Sequence, residues 1–363
     1  MNLIRIYLTF ILFIASCTFG SAQQIRNVSQ YYTHTYKAEE HLIHNEMKNA
    51  AREYDSAFQY CSVPFSADLY NQIVVRLALG NYDEVKRLCE KLIVKGAELS
   101  FFNKSVFNEF RKTAYWQDLK TVYPSLAAER HFDTGLIKQI QSMIVMDQSV
   151  HCQLPQHSGD TVFVAQMSEL NDTLSQSLSD LLLKHNYLDE ETIGTFFIDT
   201  NMGTQPFYWV LVLHEFQRHG VQLDSQLKQM IVMGKIKSET ALSTMEMASS
   251  GVIFTGDFAM YKNRLYQFDL GDTNSKIFKL NAKYVKRLLT LVYNPDIIKM
   301  REEYYMDKPE NITAKIKFIN CNKAAPFLFP VAINVIGNFK TASDEMDFYK
   351  QYKRIDCEFI GVK

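Results

Sequence analysis

Apolar side chains recur every three to four residues over 31–46, 48–60, 67–79, 83–94, 102–111 and 115–123, the spacing of helices that each bury one face. Pro64, Gly80-Asn81, Gly96 and Pro124 punctuate the runs, and helices joined by such short turns pack as antiparallel hairpins. Helical spacing resumes over 136–150, 164–184, 206–219, 223–232, 239–248, 277–293 and 297–305, the last opened by Asn294-Pro295-Asp296. Residues 251–272 are mixed and partly extended. Over 315–320, 330–336 and 354–360, β-branched residues at strand spacing predict short strands. The expected fold is mainly α: hairpins over 31–124, a helical domain over 131–308, and a small β-containing tail over 309–363.

The N-terminus predicts export. Arg5 supplies a positive start, residues 6–15 form an apolar run, and Gly20-Ser21-Ala22 offers the small side chains that suit signal-peptide cleavage, so 1–22 reads as a signal. Ile14-Ala15-Ser16-Cys17 also resembles a bacterial lipobox, which would lipidate Cys17 and anchor the chain. The apolar run is short for a membrane span of ~20 residues. The expected location is the periplasm or cell envelope, with membrane contact only through a Cys17 anchor.

Composition narrows the rest. Apolar residues at 47% and charged ones at 22% are ordinary for a packed protein. Thirty-nine Lys and Arg against forty Asp and Glu give −1, and losing Arg5 with the signal leaves 38 against 40, or −2. No basic field exists to hold nucleic acid. Cys61, Cys89, Cys152, Cys321 and Cys357 would remain in a compartment that permits disulfides. Cys321 and Cys357, in one C-terminal segment, are the expected pair; that several of the five are simply small buried apolar residues is the alternative, and Cys152 reads as structural.

Ala38, Ala50, Tyr54 and Ala57 follow a small-small-aromatic-small spacing, closed by Pro64; thirty-five residues later stand Ile73, Val85, Cys89 and Leu92, with Leu79-Gly80-Asn81-Tyr82 at the turn. This resembles the tetratricopeptide repeat, in which short side chains let neighbouring helices nest. Trp116 and Leu119 hint at a third unit. Generic helical hairpins are the plainer alternative. The resemblance implies a concave groove for a protein or peptide partner, and Tyr32 and Tyr36 are its candidate lining, while Tyr54 and Phe58 read as core.

Met143-Ile144-Val145-Met146-Asp147-Gln148 and Leu211-Val212-Leu213-His214, with Ile193-Gly194 between, are similar to an uncharacterised bacterial family over residues 136–300. That family carries an Arg soon after the Asp-Gln; here His151 stands nearby instead. The resemblance supplies positions and no reaction.

Asp147 and His151, four apart on a helix, project from one face and could share a metal ion or a proton, with His214 the natural third group. A surface salt bridge is the alternative. His214-Glu215 and His219 do not make a zinc-protease motif, because histidines five apart lie about 140° out of phase. Ser225 and Lys228 fit Ser-x-x-Lys, but no partner motif follows and a solvated helix face accounts for them. No nucleophile elbow, phosphate loop or Cys-x-x-Cys is present. No cofactor and no metal is therefore expected. The favoured expectation is an exported, non-enzymatic helical-repeat protein that binds a peptide or protein partner. The alternatives are an enzyme of unknown reaction with a site near Asp147, Gln148, His151 and His214, and a lipid-anchored structural component.

Overall fold

The computed structural model describes residues 27–157, 159–198, 201–218, 223–241, 258–261, 264–268, 295–322 and 325–330, with 334–335, 342–343, 346 and 352–354. The signal at 1–22, Cys17, His219, Cys357 and the expected helix over 277–293 lie outside the described residues.

The fold is mainly α. Helices α1 (Val28–Ile43) and α2 (Met47–Gln59) form one antiparallel hairpin, α3 (Ser66–Ala78) and α4 (Tyr82–Val94) the next, and α5 (Ala114–Ala128) packs on α4. The Asn27 side chain caps α1 by accepting from the Gln30 N–H at 3.0 Å. Gly80 turns α3 into α4 with φ of 72°, a left-handed conformation that penalises any Cβ. Ala38, Ala50 and Ala57 are each 0% exposed. Ala38 and Ala50 pack with Tyr54, Leu69, Ile73, Val85 and Cys89, and Ala57 sits among Tyr31, Tyr32, Tyr36 and Phe65. Short side chains do line the seams between these helices.

Two expectations in this half are corrected. Residues 102–111 do not form a helix; three short 3-10 turns, Leu99–Asn103, Ser105–Phe107 and Phe110–Lys112, take their place. Phe101, Phe102, Phe107 and Phe110 are all at most 1% exposed. On one straight helix they would spread over about 240°, more than a single core face can bury. Helix α5 also runs through Pro124 instead of ending there. Pro124 and Lys120, whose carbonyl the proline cannot bond, are both exposed, so that carbonyl is not sealed from solvent.

The second half packs α6 (Thr134–His151) against α7 (Thr161–Lys184), with α8 (Trp209–Arg218) touching both and α9 (Asp224–Val232) lying on α7. Asp133 and Asp160 cap α6 and α7 by accepting from first-turn N–H groups. Leu136, Ile140 and Met143 meet Leu174, Leu178, Trp209 and Val212 in the core. Helices α10 (Pro295–Glu303) and α11 (Pro309–Cys321) follow.

Residues 315–320 are thus helical, not a strand. Ile312, Lys315, Ile316 and Phe318 are buried at helical spacing, and Pro309 opens the helix. β-branched residues imitate a strand only in a window that starts at Lys315. Strands β1 (Phe197–Ile198) and β2 (Asn201–Met202) pair antiparallel. A four-stranded sheet runs in the order β5-β3-β4-β6, from β3 (Phe258–Tyr261), β4 (Arg264–Phe268), β5 (Asn334–Val335) and β6 (Tyr352–Arg354). Its β3–β4 hairpin comes from the stretch read as partly extended, so β structure is not confined to a tail.

A buried chain of alternating charge ties the halves together. Lys237 Nζ lies 2.6 Å from Asp68 and 3.7 Å from Glu39; Lys315 pairs with Glu39 and, at 2.6 Å, with Asp307. None of the five is more than 4% exposed. Burial pulls both ammonium groups down, yet the facing carboxylates outweigh it and hold them above the ordinary lysine range. The Tyr31 hydroxyl donates to Asp68 at 2.5 Å, and the Lys315 ammonium sits 4.7 Å from the centre of the Tyr36 ring. A second tie runs from Glu190, which accepts from the Ser66 N–H and hydroxyl at the start of α3 and pairs with Lys95, each at 2.8 Å.

Candidate functional site

On α6 the core-facing residues are Leu136, Ile140, Met143 and Asp147, a helical stripe whose last member is a carboxylate where the pattern calls for another apolar group. His151 follows one turn later on the same face. His214 comes from α8, beyond the buried Leu211 and Val212, and the packing of α8 on α6 brings it across to Asp147.

The three side chains meet. His214 Nδ1 lies 2.9 and 2.8 Å from the two Asp147 oxygens, and His151 Nε2 lies 3.4 Å from Oδ1. Gln148 Nε2 donates to Asp147 Oδ2 at 2.8 Å. The two imidazole rings stack with centroids 3.8 Å apart and planes 19° off parallel. Asp147 is 1% exposed as a residue, whereas the His151 and His214 side chains keep 16% and 17% of their surface. The carboxylate is sealed and the imidazoles reach solvent.

Burial on its own would push the Asp147 carboxyl up. Hydrogen bonds from His214 and Gln148, together with the charge of the two histidines, overcome it and hold the carboxyl below its usual range. Asp147 is thus an anion at neutral pH, able to orient an imidazole or help to hold a cation. One donor atom from each of Asp147, His151 and His214 can be chosen so that all lie within 4.8 Å of one another. Two chemistries fit this arrangement: an imidazole positioned by a carboxylate to take a proton, and a three-donor metal centre.

Other candidates fall elsewhere. Tyr32 and Tyr36 do not line an open groove. Tyr32 is 1% exposed; its hydroxyl donates to the Ile236 carbonyl at 3.3 Å and accepts from the Ser238 N–H at 3.1 Å. The Tyr36 hydroxyl donates to the Tyr305 carbonyl at 2.7 Å, and the Tyr32 ring stacks on Tyr305. The face on which a repeat would present a partner is covered by residues 236–238 and Tyr305 of the same chain. Ser225 is exposed and Lys228 pairs with Asp224 at 2.6 Å, an ordinary helix surface.

Cys152 is an exposed free thiol. Cys61 and Cys89 are free and buried, and burial pushes the Cys61 thiol up to about 12. Cys321 is disulfide-bonded, to a partner outside the described residues. A cleft of about 300 Å³ lined by Lys91, Lys95, His131, Glu190 and Glu191 lies apart from the histidine cluster.

Sequence reasoning missed the Glu39, Asp68, Lys237, Asp307 and Lys315 network, whose members are far apart along the chain. The available signal was local: Lys315 interrupts the apolar stripe of Ile312 and Ile316.

The chain matches no family model, no curated protein and no solved structure. The fold and the site place it among mainly α proteins built from helical hairpins.

Proposed function

We propose that this chain is an exported enzyme whose reacting centre is Asp147, His151 and His214, and that its tetratricopeptide-like hairpins brace that centre. One observation carries the reading: a buried, ionised carboxylate holds an imidazole that keeps an open edge, the arrangement that withdraws a proton from water or a substrate hydroxyl. The His214 side chain keeps 17% of its surface, so water can reach it and serves as the nucleophile in this reading. Hydrolysis is the reaction class this favours. Gln148 fixes the second oxygen of Asp147 and acts as a positioning residue.

The periplasm or cell envelope fits the leader sequence, and the disulfide at Cys321 supports an oxidising compartment. Cleavage after Ala22 is the proposed processing, with lipidation of Cys17 as the competing form. Partner docking as the main role loses Tyr32 and Tyr36. It keeps one footing, the exposed Val145 and Met146 on α6 and Val162 and Val164 on α7.

The test is a screen of purified full-length protein, with Zn²⁺ and without, against chromogenic esters, phosphodiesters, amides and glycosides. Turnover of one class should fall at least ~100-fold in His214→Gln and in Asp147→Asn, with helical circular dichroism unchanged. Turnover that ignores both substitutions, or none from any class by folded protein, contradicts the reading.

A further inference from the structure

We infer that Asp147, His151 and His214 together take up one divalent transition-metal ion, zinc foremost, with Gln148 as the outer group that steadies the carboxylate. This rests on reading the cluster as a reacting centre and names the cofactor that centre uses.

The spacing carries the argument. Imidazole nitrogens and carboxylate oxygens bind zinc at about 2.0–2.2 Å, so neighbouring donors around one ion stand about 3.0 Å apart in an octahedron and about 3.4 Å in a tetrahedron. The Asp147–His214 contacts are 2.8 and 2.9 Å, and the Asp147–His151 contact is 3.4 Å. Those separations match two edges of such a shell, and the third, between the imidazole donors, lies within 4.8 Å.

The scaffold is also suited to a metal. Two donors come from one helix at i and i+4 and the third from a helix packed against it, so the backbone fixes all three origins. The donor set, two imidazoles and a carboxylate, is one that zinc accepts while leaving a position for water. Gln148 donating to Asp147 Oδ2 is the kind of outer contact that orients a ligating carboxylate.

The ring geometry has to change on binding. The rings are stacked 19° from parallel, and an ion in the plane of both requires them to tilt apart. That motion is a rotation about the bond from Cβ to the ring, a broad torsion, and the partial exposure of both side chains leaves room for it. A bound ion would sit at the solvent-facing edge and make its water acidic enough to act as nucleophile near neutral pH.

The experiment uses the full-length chain, freed of metal with a chelator and desalted, then titrated with Zn²⁺ by calorimetry and with Co²⁺ by visible absorption. We expect one Zn²⁺ per chain with micromolar or tighter affinity, and a Co²⁺ d–d spectrum. His151→Ala and His214→Ala should each weaken uptake at least tenfold and abolish that spectrum while circular dichroism is retained, and Cys152→Ser should change neither. The absence of saturable uptake, or uptake unchanged in both histidine variants, overturns the inference. Turnover that depends on His214 without any Zn²⁺ uptake defeats the metal and leaves an imidazole base. Zn²⁺ uptake that depends on both histidines without turnover supports the metal site and defeats the enzyme reading.

Discussion

The molecule holds two polar clusters in its interior, and they are built on opposite plans. Asp68, Lys237, Glu39, Lys315 and Asp307 alternate in sign, join four distant stretches of chain and are sealed from water. Asp147, His151 and His214 gather one anion and two imidazoles from two helices and leave the imidazoles partly open. Charges sealed with their partners hold segments in one register and have no access to a ligand. A buried carboxylate that faces solvent-reaching imidazoles contributes little to the architecture and can take part in chemistry.

The contrast between the clusters breaks most sharply on stability. Lys315→Met leaves Glu39 and Asp307 buried without their shared cation, and the loss should be about 3–5 kcal/mol in urea unfolding. A loss under about 1 kcal/mol would show that water reaches the charged chain and that it clamps nothing. Overpacking a seam between helices should cost less. Ala50→Leu forces a larger side chain into a site with 0% exposure, and about 1–3 kcal/mol is expected by the same method.

Much of this was readable beforehand because it is local. Helix starts and stops in the first hundred residues follow from Gly80, Gly96 and the alanine spacing, and the joining of Asp147 to His151 follows from a four-residue interval. The meeting with His214 could be named only as a candidate, since helix packing decides it. The covering of Tyr32 and Tyr36 was illegible: a repeat-like face looks the same in sequence whether a partner or residues 236–238 of the same chain occupy it. The short turns over 99–112 were misread because aromatic burial there outweighs helical spacing.

A smaller effect sharpens the contrast through pH. Burial pushes Glu39 up, against the pull of Lys315 and Lys237, and leaves it above the ordinary carboxylate value of 4.5. The folded state then holds its proton more tightly than the unfolded chain does. Stability therefore falls as pH rises from 4.5 through the folded value. Glu39→Gln should flatten that decline in unfolding curves taken upward from pH 4.5. A decline equally steep in the variant assigns the titration to another group.

The most direct measurement is the unfolding free energy of Asp147→Leu beside that of the parent chain. Asp147 occupies an apolar stripe behind Leu136, Ile140 and Met143, so leucine completes the pattern while the two histidines turn to solvent. If Asp147 is kept for chemistry, the variant should be as stable as the parent or up to about 1–2 kcal/mol more stable. A loss of about 3 kcal/mol or more, comparable to that expected for Lys315→Met, would mean that the open cluster is as architectural as the sealed one.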